Sequence, residues 1–206
     1  QAGEESFMEV SKVRIPPKQA AEEAYAKAIT LLEEEKYRLA ETELLRVIQL
    51  YPPHAAARTQ LVGLRLDRRQ FEDAVGILIQ GISLDPDNTD LRILTASIYM
   101  ELGNFARALS YLEDIHPNVL TNMEFYSLKA VIASKVKDWK TANASYLSLL
   151  KVAGHQGKWW YGLGVSYEGL GQKQLAISAF QTALAKPNLP TDYAKDIDRR
   201  LTHLGG

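Results

Sequence analysis

Residues 157–190 read GKWWYGLGVSYEGLGQKQLAISAFQTALAKPNLP, and this stretch decides the fold. In isolation its first half could pass for a ligand loop, because Gly162, Gly164, Gly169 and Gly171 alternate with bulky side chains and Trp159 and Trp160 offer a stacking platform. A phosphate-cradling fingerprint needs a strand before it and a helix after it. A 34-residue interval recurs along the chain instead. Ala40, Ala74, Ala108, Ala142 and Ala176 follow one another at that interval without an insertion, and four residues after each stands Leu44, Leu78, Leu112, Tyr146 or Phe180. Three residues before each comes Tyr37, Phe71, Phe105, Trp139 or, in the last case, Lys173. Twelve residues before lies a mostly small series, Ala28, Val62, Ala96, Ala130 and Gly164, suited to the close crossing of two helices.

Turn signals separate the units: YPPH at 51–54, LDPDN at 84–88, HPN at 116–118, AGHQG at 153–157 and KPNLP at 186–190. Each unit therefore holds two helices of about a dozen residues with a short turn near its midpoint. Five units are expected, at 21–54, 55–88, 89–122, 123–156 and 157–190.

The pattern resembles the tetratricopeptide repeat, which places Trp, Leu-Gly and Tyr on its first helix, Ala, Phe and Ala on its second, and then Pro. The fifth unit matches it through Trp160, Leu163, Gly164, Tyr167, Ala176, Phe180 and Ala183, with Pro187 one residue early. The first unit departs with Ala24 and Lys27, and the second carries Arg58 and Arg65 in aromatic places, so both are expected to pack less like the family average. The fold implied is an all-α, right-handed α-solenoid in which each helix pair buries its apolar face against its neighbours.

The open end of such a stack needs a cap. Residues 191–206 supply a capping helix, with Thr191 as N-cap, Ala194, Ile197, Leu201 and Leu204 as one apolar stripe and Gly205 as its stop. Residues 1–20 form a leader, and FMEVSKVRIPP at 7–17 reads as extended chain because Pro16 and Pro17 disfavour helix just before them. Two readings of the leader stay open: a disordered segment, or one that docks through Phe7, Val13 and Ile15.

Composition narrows the chemistry. Lys and Arg number 24 against 25 Asp and Glu, so no bulk field draws the chain to nucleic acid or to an anionic membrane. There is no cysteine, which excludes disulfides, thiolate metal sites and cysteine nucleophiles. No run approaches the roughly 20 apolar residues of a membrane helix. His54, His116, His155 and His203 have no metal-ligand spacing and read as solvated turn or helix-end residues. LLEEEKY at 31–37 reads as a solvated helix end and Arg65, Arg68 and Arg69 as a solvated turn. No hydrolase elbow or Walker A string occurs, so neither catalysis nor a metal or cofactor is expected.

The resemblance implies that first helices line a groove receiving a protein segment. Its groove places fall here on Tyr25, Ile29, Leu32, Thr59 and Leu66, then Ile93, Ser97, Met100, Ser127, Val131 and Ser134, and finally Tyr161, Val165 and Glu168. Many are apolar, which suits an apolar partner segment bound with little salt dependence. The charged clamp of chaperone-binding members is missing, since its places hold Tyr25, Ile29, Gly63 and Leu66. Trp160 is expected in the core. Trp159 is not required by the repeat and becomes the candidate hot spot if exposed beside Tyr161.

Residues 157–172 and 175–204, with the Val-Arg-Ile-Pro-Pro leader, are also similar to the MSHA pilus biogenesis family. That family has one membrane helix and a periplasmic repeat domain, and takes part in type IV pilus assembly. The resemblance implies a periplasmic scaffold whose N-terminal anchor is absent from a chain that starts at Gln1. The alternative is a repeat adaptor of a cell-wall or envelope enzyme complex, contacting glycan through Trp159.

Overall fold

The computed structural model describes residues 15–205, in which eleven helices and no strand occur. Residues 1–14, with Phe7 and Val13 of the leader, lie outside the described residues. The chain divides into two compact units, one up to Ile77 and one from Leu78, the division falling inside α4 (Phe71–Leu84).

The first unit holds α1 (Pro17–Glu33), α2 (Tyr37–Leu50), α3 (Ala55–Asp67) and the start of α4. Its core joins Ala21, Ala24 and Ala28 of α1 to Leu44 and Val47 of α2 and to Ala57, Leu61 and Leu64 of α3. Alanine on the crossing face lets the α1 and α2 backbones approach closely enough for Leu44 and Val47 to lose all contact with water. α1 begins at Pro17, so 17–20 are helical and the leader expectation is corrected there. Proline suits the first helical position because its missing N–H would be unpaired anyway and its φ is already helical.

The second unit holds α5 (Thr89–Glu101), α6 (Phe105–Ser110), α7 (Met123–Lys135), α8 (Trp139–Val152), α9 (Gly157–Gly169), α10 (Lys173–Leu184) and α11 (Thr191–Leu204). Ala108, Ala142 and Ala176 are fully buried here, as Ala40 and Ala74 are in the first unit. A Cβ on Gly164 would stand 2.5 Å from the Phe180 ring, so the glycine at the small-residue position is what allows α9 and α10 to close on Phe180. Gly162 and Gly169 do the same for the rings of Tyr146 and Trp139. Three of the four glycines of the fifth unit's first helix are thus seats for aromatic side chains.

The turn within each repeat has one geometry. Glu35, Arg69, Gly103, Lys137 and Gly171 all have φ between 57° and 73°, and the next residue's N–H returns to a carbonyl five positions back, as in Gln172 to Tyr167 at 2.9 Å. This is the left-handed helix ending that glycine favours, met here by three residues that do not.

Several expectations need correction. The second helix of the third unit stops at Ser110 rather than running about a dozen residues. The freed carbonyls of Tyr111 and Glu113 instead accept from Arg92 Nη1 at 2.9 Å and Lys129 Nζ at 3.4 Å. Thr191 is the first helical residue and not an N-cap; Pro190 precedes it and no side chain caps α11, whereas Gly205 ends the helix at φ 68° as expected. His54 is buried, not solvated: its Nδ1 accepts from Ala57 N–H at 3.1 Å and caps α3. Trp160 is half-buried rather than core, and its Nε1 donates to Gly154 O at 2.8 Å.

That bond explains the arginines. Arg58 is only 3% exposed and donates through Nε and Nη2 to Pro52 O and through Nη1 to Ile77 O. In the second unit Arg92 Nε donates to Pro86 O at 2.6 Å and Tyr126 Oη to Pro117 O at 2.7 Å, at the equivalent repeat position to Trp160. The position demands a long side chain with a donor at its tip, to satisfy carbonyls of the turn before the helix. Arginine meets that demand, so the departure from an aromatic does not loosen the unit. Arg65 and Arg68 are likewise engaged, both pairing with Glu41. Burial opposes ionisation of that carboxyl, but the two guanidiniums hold it below its ordinary range.

Candidate functional site

In the first unit the groove places are not gathered into a cavity. Tyr25 and Leu32 pack against the core, the Tyr25 ring lying 4.7 Å from that of His54. Ile29 and Leu66 are half-buried, and Thr59 is exposed with its hydroxyl donating to Ala55 O. A cavity of about 270 Å³ in this unit is lined by Tyr37, Leu64, Asp67 and Arg68, none of them a groove place.

The second unit does bring them together. Ser97 and Met100 of α5 face Glu124, Ser127, Leu128 and Val131 of α7 across a hollow of about 320 Å³. Ser127 and Val131 also line a larger cavity of about 420 Å³, completed by Ser134 and Lys135 of α7, Trp139 and Tyr146 of α8, Lys158, Trp159, Tyr161, Gly162 and Val165 of α9, and Tyr193 of α11. Trp159 is half-buried and lies in this wall together with Tyr161. Ile93 is half-buried and lines neither hollow.

Glu168 is spent differently. Its carboxylate accepts from Arg200 Nη1 at 2.5 Å, while Arg200 Nε reaches Asp196 Oδ2 at 2.6 Å and the Tyr161 hydroxyl donates to the same oxygen at 2.8 Å. Arg199 also pairs with Asp196. This network ties α9 to α11 and orients the Tyr161 ring, which meets Tyr193 edge-on at 4.7 Å. Burial opposes ionisation of Asp196, yet hydrogen bonds from Arg200, Tyr161 and Arg199 hold its carboxyl at about 2. The Tyr161 phenol is pushed up to about 12, first by burial and then by donating to Asp196, so it stays neutral in any ordinary buffer.

Six residues lining the larger cavity were missed by sequence, Gly162 among them. Trp139 and Tyr146 were assigned only to packing, and each shows one face to the cavity. Lys135 and Lys158 lie off the family's groove positions. Tyr193 had a usable signal: it stands one repeat length after Trp159, and α11 starts one repeat length after α9, so the capping helix is the first helix of a further unit.

Paired antiparallel helices presenting an aromatic cavity define a helical-repeat interaction scaffold. Sequence models of the tetratricopeptide repeat match residues 65–132 and 128–192, which together span more than half of the chain, and the chain belongs to the tetratricopeptide repeat family. Members of this family are typically non-catalytic protein-interaction modules. No curated protein matches the sequence. Among solved structures, the chain is similar to YrrB, described as a tetratricopeptide protein with an unusual peptide-binding site, at a TM-score of 0.67 and 14% identity over 85% of this chain and 90% of that one. A tetratricopeptide repeat protein of Parabacteroides merdae aligns at 0.65 and 16% identity over 91% and 74% of the two chains. MamA of Desulfovibrio magneticus RS-1 aligns at 0.60 and 19% identity over 72% and 84%. Identities this low show a shared fold. No described helix is long and apolar enough to cross a membrane.

Proposed function

We propose that this chain is a non-catalytic scaffold of type IV pilus assembly, acting in the periplasm and holding an apolar partner segment against the first helices of its second unit. The observation that carries the binding reading is the 420 Å³ aromatic cavity, which shares Ser127 and Val131 with the hollow beneath Met100. Its volume falls within the roughly 300–1,000 Å³ of small-ligand sites. Val131, which lines both hollows, is 40% exposed, an apolar side chain placed where a partner would cover it. What supports the pilus context is the resemblance of residues 157–172 and 175–204 to the MSHA pilus biogenesis family.

Photoreactive residues at positions 29, 100 and 165, expressed in native envelope, test both parts. Capture of a pilus-assembly component from 100 and 165, with none from exposed Gln181, is expected. Recovery of no pilus or secretion component would refute the pilus role, and equal capture from position 181 would refute the cavity as the binding face.

A further inference from the structure

The larger cavity of the second unit carries a chemical preference that an apolar groove alone does not. Trp139, Tyr146, Trp159, Tyr161 and Tyr193 all line it, and aromatic rings by themselves attract cations. The charges around it reverse that preference. No aspartate or glutamate lines the cavity, whereas Lys135 and Lys158 both do, and among the described residues neither makes an ion pair.

Of the carboxylates on the helices that line the cavity, the two nearest Tyr161 are engaged by arginine, while Asp192 beside Tyr193 is exposed and makes no ion pair among the described residues. Asp138 caps α8 by accepting from Thr141 N–H at 3.1 Å, Glu168 is held by Arg200, and Asp196 by Arg199 and Arg200. Two ammonium groups therefore line an aromatic cavity with no carboxylate in its wall and no ion pair of their own among the described residues. We infer that the site takes a partner peptide in which one large apolar side chain, flanked by carboxylates, enters the cavity while Lys135 and Lys158 pair with those carboxylates. This rests on the groove reading given above. A peptide fits better than a compact small molecule because Ser127 and Val131 carry the cavity on into the second hollow, where the chain on either side of the anchor can lie. Glu124 in that hollow disfavours acid there, so the carboxylates belong next to the anchor and not farther along. The two lysines also give binding a salt dependence that the groove positions alone do not.

The test uses the full chain and four blocked pentapeptides, Gly-Asp-Phe-Asp-Gly, Gly-Asn-Phe-Asn-Gly, Gly-Asp-Ala-Asp-Gly and Gly-Lys-Phe-Lys-Gly, titrated by calorimetry at low and high salt. The Asp-Phe-Asp probe is expected to bind about fivefold more tightly than Asn-Phe-Asn at low salt, the worth of two exposed ion pairs. That advantage should shrink at high salt, and Asp-Ala-Asp and Lys-Phe-Lys should bind most weakly. In a K135Q/K158Q variant the advantage should vanish, and in K135E/K158E the Lys-Phe-Lys probe should overtake. Equal binding of the Asp and Asn probes, or an advantage that survives K135Q/K158Q, would overturn the acidic preference and leave the groove reading standing. Absence of binding by every probe would overturn both.

Discussion

Replacing Gly164 by alanine sets two effects of known size against each other. A Cβ at this position would lie 2.5 Å from Phe180 Cδ1 and Cε1, where carbon atoms prefer about 3.5–4.0 Å, so the ring would have to retreat by about 1 Å. It has nowhere to go, being fully buried among Ala176, Ala183 and Ile197. Overpacking of this kind costs about 1–3 kcal/mol, while alanine in place of glycine inside a helix returns up to about 1 kcal/mol. The expected net loss is about 1–2 kcal/mol. Gly63→Ala is the matched control: it too is a helical glycine, but its Cβ meets nothing within 4 Å, so only the helix gain of about 0.5–1 kcal/mol remains. Urea unfolding followed by tryptophan fluorescence reads the second unit, because Trp139, Trp159 and Trp160 all lie there, and circular dichroism reads every helix. A Gly164→Ala midpoint at or above that of the parent would refute the close approach of α9 and Phe180.

Three more outcomes follow from particular contacts. Lys137→Gly relieves a left-handed residue at φ 62° and should stabilise the second unit by about 1 kcal/mol, read as a raised urea midpoint by fluorescence. Arg58→Leu removes the donor to Pro52 O and Ile77 O and should cost about 2–3 kcal/mol, whereas Arg58→Trp, which can repeat the Trp160 bond, should recover most of it in a circular dichroism melt. Asp196 has a folded carboxyl at about 2, below its ordinary value, so its contribution is present above about pH 4 and is lost as pH falls toward 2. Asp196→Asn should therefore flatten the acid limb of fluorescence-detected stability by about 1–2 kcal/mol.

The repeat was legible because it is written in short-range patterns that recur. Ala40 through Ala176 and the large residue four positions after each state a helix face directly, and all the alanines are buried. Gly103 and Gly171 announce the left-handed turn, but Glu35, Arg69 and Lys137 adopt the same backbone with no local sign of it. Arg58 looked like a misfit because a sequence does not show which carbonyls will surround a side chain. The groove list was legible only in part: α5, α7 and α9 do bring Met100, Val131, Tyr161 and Val165 to shared hollows, while Glu168 is consumed by an arginine 32 residues away.

The sequence by itself determined the all-helical repeat, its period and its buried faces, since these follow from residue spacings within each unit and from one unit to the next. Only the tertiary structure decided which charged groups cancel and which are left over. Asp196 and Glu168 are balanced by Arg199 and Arg200 across α9 and α11, and Lys135 and Lys158 remain beside the aromatic rings. The physical reason is that charge compensation depends on distances of a few ångströms between residues far apart in the chain, and no spacing within one helix reports them.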